Sequence, residues 1–233
     1  MSTPLAVEAR GLSRVYGNGP DAVRALHDAD LTIEAGEFVA IMGPSGSGKS
    51  TLLHLVGGLD RPDSGEVRIE GETLAELNDE ALAHLRRRRI GFVLQFFNLF
   101  PLLSARENVA FPLLLDGRHD ALALADAALE RVGLSERAKH RPNQLSGGEQ
   151  QRVAVARALV TKPAVVLADE PTGSLDSLAG EDVLRLLRAA ADDGHAVLLI
   201  THHAPAAAYA DRVVRLRDGA VVPSADDVAS VAG

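Results

Sequence analysis

The chain has 233 residues, enough for one large or two small domains. Hydrophobic residues make up 46% and aromatics only 3%, so the core must be aliphatic, and the lack of cysteine excludes disulfides, thiolate catalysis and cysteine-ligated zinc. A formal charge of -8 argues against wrapping nucleic acid, and with neither a leader pattern nor an apolar run near ~18–20 residues, the chain is expected to be soluble and held at any membrane by something else.

Residues 5–42 read as β-rich. Leu5-Ala6-Val7, Leu31-Thr32-Ile33 and Phe38-Val39-Ala40-Ile41-Met42 are apolar runs separated by turn signals such as Gly17-Asn18-Gly19-Pro20 and Ala35-Gly36. The last run leads into Gly43-Pro44-Ser45-Gly46-Ser47-Gly48-Lys49-Ser50-Thr51, which matches the P-loop pattern, and then into a helix from Lys49 to about Val56. Glycines there let successive N–H groups turn toward phosphate oxygens. The helix start adds the positive end of its dipole. Lys49 supplies a cation for the outer phosphates, Ser50 a hydroxyl for magnesium, and Thr51 a phosphate contact. This points to a nucleoside triphosphate and says nothing of what its energy drives.

Gly65 to Ile69 reads as a strand, 79–89 as a short helix and Ile90 to Leu94 as the next strand. The dense basic run Arg86-Arg87-Arg88-Arg89 suits a solvated helix end, where cations complement the dipole; a site for phospholipid head groups or another subunit is the other reading. From about 95 to 159 the pattern turns helical. Leu122, Ala125, Leu129 and Val132 recur at helical spacing before Gly133, and Val153, Ala156 and Val160 mark one face of a second helix.

Within that stretch, Leu145-Ser146-Gly147-Gly148-Glu149 is a second anion-binding pattern. Ser146 and Glu149 form a capping box, and two glycines leave the first helical N–H groups bare. Ala164 to Ala168 and Ala196 to Ile200 are apolar on both faces with a helix around 178–191 between them, as in a covered parallel sheet. Val213 to Leu216 and Ala220 to Val222 complete the sheet, and residues from Pro223 onward read as a frayed tail. The expectation is one domain over 1–233. Residues 1–94 and 160–222 form a catalytic core with a β-subdomain, 95–159 a helical insertion, and 223–233 the tail.

With the P-loop, Leu145 to Arg152, and Ala164 to Glu170 in that order, the chain resembles the ATP-binding subunits of ABC transporters from about residue 5 to 222. The resemblance implies an α/β P-loop ATPase core with an N-terminal antiparallel β-subdomain and an inserted helical subdomain. It implies that Asp169 holds magnesium together with Ser50 and Gln95, and that Glu170 is the general base. By the same resemblance Gln95 also reaches the attacking water, His202 contacts the γ-phosphate, and Tyr16 stacks on adenine. His203 stands where the family commonly has Asp, so His202 is favoured over it as the phosphate contact. Leu145 to Glu149 is then the signature that closes over ATP held by another copy of the chain, and Ser174-Leu175-Asp176 the loop that crosses to that copy.

Gly36 to Met42, Gly57 to Pro62, Arg86 to Phe92 and Phe97 to Pro101 are most similar to the lipoprotein-release and macrolide-export branch. That implies ATP and magnesium as cofactors, a second copy of the chain or a homologous ATPase as one partner, and an integral membrane permease as another. The chain would sit peripherally on the cytoplasmic face. A mechanical regulator of an extracytoplasmic enzyme, or an importer subunit, remain alternatives; cassettes acting on ribosomes or DNA are disfavoured by the charge.

Overall fold

The structure, a computed structural model, describes residues 4–222. The expected tail lies outside them. Strand β1 (Leu5–Tyr16) and β2 (Val23–Glu34) are long antiparallel partners, and β3 (Phe38–Met42) runs into helix α1 (Lys49–Val56). Next come β4 (Ser64–Ile69), β5 (Glu72–Thr73), α2 (Asp79–Arg89) and β6 (Ile90–Leu94). Three helices follow: α3 (Ala105–Leu115), α4 (Ala121–Arg131) and α5 (Gly147–Leu159). The chain ends on β7 (Val165–Asp169), α6 (Ser177–Asp192), β8 (Ala196–Ile200), α7 (Ala204–Ala207), β9 (Arg212–Arg217) and β10 (Ala220–Val222).

Two sheets result. The first has the antiparallel order β2-β1-β4-β5; the second has the order β10-β9-β3-β8-β7-β6, parallel except at β10. The strands of the second sheet bury both faces by strict alternation. Val39, Ile41, Val165, Leu167, Leu198 and Ile200 join the core beneath the antiparallel sheet and α1. Phe38, Val166, Ala168, Val197 and Leu199 face the other way, toward α5 and α6. Side chains two apart share a face of a strand, so one apolar run fills two cores.

Helices α3, α4 and α5 enclose a third core. Helix α5 serves two of them: Val153 and Ala156 belong to the helical core, and Val155 and Ala158 to the sheet. The buried stripe of α4 is Ala121, Ala125 and Leu129, continued by Val132, whereas Leu122 is exposed. Positions 121, 125, 129 and 132 follow the helical repeat along one face, and Leu122 is turned about 100° from Ala121.

The arginine run ends α2 with partners inside the chain. Arg86 donates to the Gly58 carbonyl at 2.7 Å, Arg87 and Arg88 both pair with Asp116, and Arg89 pairs with Glu70 at 2.9 Å. These contacts tie α2 to the end of α3 and to the turn after β4, so the run is a bracket between elements as well as a complement to the dipole.

Register aligns what matters next. Leu94, Asp169 and Ile200 are neighbours across β6, β7 and β8. Gln95, Glu170 and Thr201-His202 therefore leave the sheet along one C-terminal edge, the edge from which the chain also leaves β3 into the P-loop. In open α/β sheets that edge is where ligands bind.

Candidate active site

One cavity of about 610 Å³ lies over this edge. Tyr16, Gly43 to Gly46, Gly48 to Thr51, Asp169, Glu170 and His202 line it. The P-loop needs two of its glycines for space. A Cβ on Gly43 would lie 2.1 Å from the Leu216 carbonyl oxygen, and one on Gly48 would lie 2.2 Å from that of Ala25; Gly48 also has φ 99°. Any other residue would push the loop off β9 or β2. Ser47 is buried and makes only backbone contacts, to Pro44 and Gly219, and it is not among the lining residues. Lys49 spans the loop: its Nζ donates to the Gly43 and Pro44 carbonyls at 2.9 and 2.8 Å.

Asp169 is half-buried at the end of β7. Burial pushes its carboxyl pKa up, the charge of Glu170 adds to this, and a hydrogen bond from Ser50 opposes it. Glu170 follows with φ 44°, a left-handed backbone that costs a non-glycine residue ~1–2 kcal/mol. The conformation is held by its N–H donating to the Ile200 carbonyl at 3.0 Å. It turns the Glu170 side chain onto His202, whose backbone N–H donates to Oε1 at 3.1 Å and whose Nδ1 lies 2.7 Å from the same oxygen. A carboxylate only accepts, so Nδ1 is the donor to Glu170. His203 caps α7 and donates its N–H to Thr201; it lines a different, 510 Å³ cavity on the far side of Glu170.

Tyr16 is fixed from behind. Its hydroxyl donates to Asp60 at 2.8 Å, and the Arg14 guanidinium lies 4.9 Å from the ring centroid. Although burial opposes it, the Tyr16 bond and the Arg14 charge hold Asp60 below the usual carboxylate range. With Arg14 over one face, the other face is left for a planar partner.

Gln95 lies apart. It is not among the residues lining the P-loop cavity; its Nε2 sits near Gly173, where a Cβ would come within 2.9 Å, and its carbonyl accepts from Ser174 at 3.0 Å. Asp176 caps α6 by accepting from the Ala179 N–H at 2.9 Å, and Leu175 packs on the core under α6.

Leu145 to Glu149 is also outside the P-loop cavity. The capping box is formed in both directions, with Ser146 accepting from the Glu149 N–H and Glu149 from the Ser146 N–H at 2.8 Å. That Ser146 amide, with Arg137 beside it, keeps the Glu149 carboxyl below its usual range. Gly148 has a packing reason of its own: a Cβ there would lie 2.8 Å from the Cβ of Ala179 on α6. Leu145 is buried in the helical core.

Two residues of α5 that have no role in the motif reading bind the site together: Gln151, inside the Leu145 to Arg152 stretch, and Arg157, beyond it. Gln151 is fully buried and donates to the carbonyls of Leu94 and Pro171, while Arg157 donates to those of Phe97 and Asn98. Arg157 is a polar interruption in the apolar run Val153 to Leu159, which is a sequence signal; Gln151 lies among the polar residues Glu149 to Arg152 and only its burial sets it apart.

The residues 26–173 match the family model for ABC transporters. The chain belongs to that family. It is 52% identical to the macrolide export ATP-binding/permease protein MacB of Nitrosomonas europaea over 94% of its own length and 34% of that protein's. It is 50% identical to the lipoprotein-releasing system ATP-binding protein LolD of Chromohalobacter salexigens over 92% of each. It thus spans about a third of its MacB relatives and nearly the whole of LolD. A solved dimeric structure of the ATP-binding cassette MJ0796, in a post-hydrolysis state with ADP and Pi, superposes with a TM-score of 0.85 at 44% identity, covering 93% of this chain and 97% of that one. The fold is that of an ABC ATPase, and the chain is an ATP-binding, ATP-hydrolysing cassette of that family.

Proposed function

We propose that two copies of this chain close around two ATP molecules and that this closure drives a separate membrane permease of the export or lipoprotein-extrusion type. The observation that carries the reading is the separation of two anion sites. The P-loop cavity is bounded by Lys49, Asp169, Glu170 and His202, while the capped end of α5 at Ser146-Gly147-Gly148 lies outside it. A helix end with bare N–H groups and no cation is useful to a phosphate only when another molecule presents one. Loss of the γ-phosphate would remove the anion shared by both sites, and a ligand can shift a conformational equilibrium only by such differential binding.

Within each site the residues divide the work. Tyr16 offers a face to adenine, the P-loop amides and Lys49 hold the phosphates, and Glu170 accepts a proton from the attacking water. His202 contacts the γ-phosphate, and its Nδ1, 2.7 Å from Glu170 Oε1, keeps that contact beside the general base. Magnesium fits the donor set. Ser50 and Asp169 are hard oxygen donors that line the same cavity, and such an ion is typically held by one or two carboxylates together with substrate phosphates. When bound, it would neutralise charge on the phosphates. Gln95 reaches this centre only if its loop moves toward it, and its backbone link to Ser174 makes that loop move with the crossing loop.

Among the described residues no helix is long and apolar enough to cross a membrane. The permease contact is assigned to the loop after β6, where Phe96 and Leu102 are 76% and 78% exposed and Phe100 is also open to solvent. In a chain so poor in aromatics, exposed phenylalanines on one loop support a docking surface for the permease, with the cassette bound peripherally on its cytoplasmic side. Sedimentation of Glu170→Gln with saturating ATP and magnesium tests the dimer reading: an ATP-dependent dimer with little turnover is expected, and a variant that stays monomeric would refute it.

A further inference from the structure

Helix α5 buries Val153, Ala154, Val155, Ala156 and Ala158, so a polar residue inside it has to be explained. Gln151 is 0% exposed. Its Nε2 donates to the Leu94 carbonyl at 3.2 Å and to the Pro171 carbonyl at 2.7 Å. Both partners are acceptors, so only the amide nitrogen can face them. Its Oε1 is buried with no partner. An orphaned acceptor weighs against folding; methionine or leucine would remove it and fill the space, but would leave the Pro171 carbonyl without its donor. What a hydrocarbon could not do is hold two carbonyls on two different loops.

Those loops carry the chemistry. Leu94 immediately precedes Gln95, and Pro171 immediately follows Glu170. Two turns along the same helix, Arg157 donates to Asn98 at 2.7 Å and to Phe97 at 3.0 Å. Phe97 and Asn98 are consecutive left-handed residues, with φ 57° and 47°, a conformation that needs outside support. The tip of this helix is the Ser146-Gly147-Gly148 anion site. One rigid element therefore carries the anion site at its end and grips the Gln95 loop at two points and the Glu170 loop at one.

We propose that Gln151 is a positioning residue for ATP hydrolysis, with Arg157 completing the clamp. Through its amide the docking of a second chain's nucleotide on α5 is transmitted to the backbone on either side of the reaction centre. The inference rests on the roles proposed above for Gln95 and Glu170. Without the amide the loops keep their fold and lose their alignment. A misplacement of about 1 Å costs on the order of 10²-fold in rate.

The test is steady-state ATPase kinetics of the full chain over a protein-concentration series, with nucleotide affinity and thermal unfolding measured beside it. Gln151→Met keeps the volume and removes the donors. It should lower kcat about 10- to 100-fold, with KM and nucleotide affinity within about twofold of the parent and the melting temperature lowered by no more than a few degrees, since the orphaned oxygen is removed while the Pro171 carbonyl loses its donor. Arg157→Lys, which can reach one of its two carbonyls, should lower kcat by about three- to tenfold with the same unchanged affinity. A kcat within twofold of the parent for Gln151→Met, or a loss confined to affinity or melting temperature, overturns the proposal. Should Gln151→Met not fold, Arg157→Lys decides: a parental kcat overturns it. Glu170→Gln is run in parallel. If it is inactive while Gln151→Met is not, the clamp fails and the reading of the site stands; if Glu170→Gln turns over normally, the reading of the site fails.

Discussion

The two adjacent glycines at the start of α5 should behave differently when each is given a methyl group. A Cβ on Gly148 would lie 2.8 Å from the Cβ of Ala179, about 1 Å inside the ~3.5–4.0 Å at which carbons rest. Both atoms belong to helix starts that cannot swing aside, so α5 and α6 must part. Overpacking of this kind costs ~1–3 kcal/mol, offset by the ~0.5–1 kcal/mol that alanine gains over glycine in a helix. Gly148→Ala should therefore destabilise the chain by about 0.5–2 kcal/mol, which for a chain of this size lowers Tm by ~1–8 °C. A Cβ on Gly147 meets Leu175 and Phe97 only at 3.5 and 3.7 Å, ordinary contact, so Gly147→Ala should leave Tm unchanged or raise it. Ala179→Gly in the Gly148→Ala chain removes the collision and should restore most of the lost Tm. Because the added methyl points at α6, the double variant should recover ATP turnover as well. The assay is thermal unfolding without nucleotide, followed by turnover. Equal effects at the two glycines, or no rescue by Ala179→Gly, would refute the packing argument.

Two further predictions follow from the same geometry. Lys49→Ala removes the cation facing the outer phosphates and the staple between the Gly43 and Pro44 carbonyls; at ~1.5–3 kcal/mol for a charge-assisted contact, nucleotide affinity by titration should fall about 10- to 100-fold, and unchanged affinity would remove Lys49 from its assigned place. Asp169→Asn should stabilise the nucleotide-free chain. The folded pKa of Asp169 is raised by burial and by Glu170, so the unfolded chain gives up its proton first and stability falls as pH rises through the window between the two values. The asparagine variant should melt a few degrees higher at neutral pH, at ~2–4 °C per kcal/mol, the gap closing below the ordinary carboxylate range, while turnover is lost. A gap that does not change with pH would contradict the assigned cause.

Much of the site was legible before the fold because its chemistry depends on short local patterns. The P-loop requires glycine at fixed offsets between a strand and a helix, and the helix starts at Lys49 in both readings. Strands apolar on both faces announced a covered parallel sheet, and their ends located Asp169, Glu170 and His202. Long-range contacts were not legible. That Gln95 lies beside Gly173, outside the P-loop cavity, depends on the path of the loop after β6. That Leu122 faces solvent depends on which side of α4 meets α3 and α5, and alanines give a weak signal for it. The arginine run looked like surface because its partners, Gly58, Glu70 and Asp116, are far from it in sequence.

The same distinction bears on what makes this chain work. Tyr16 and Glu170 at the P-loop cavity are each positioned by a contact from another element, Tyr16 by Asp60 and Glu170 by Ile200 and His202. The start of α5 lies close to the Gln95 loop, the crossing loop and α6: a methyl on Gly147 would meet Leu175 and Phe97, and one on Gly148 would meet Ala179. A displacement of that helix start is therefore felt at the strand ends without passing through the apolar core. A core of Val, Leu and Ile packed at full density resists being deformed, so motion is confined to the loops and helix ends along one edge. Polar side chains that reach across that edge, Gln151 foremost, add hydrogen-bonded links that carry it, and that is why their removal should reduce rate and leave folding intact.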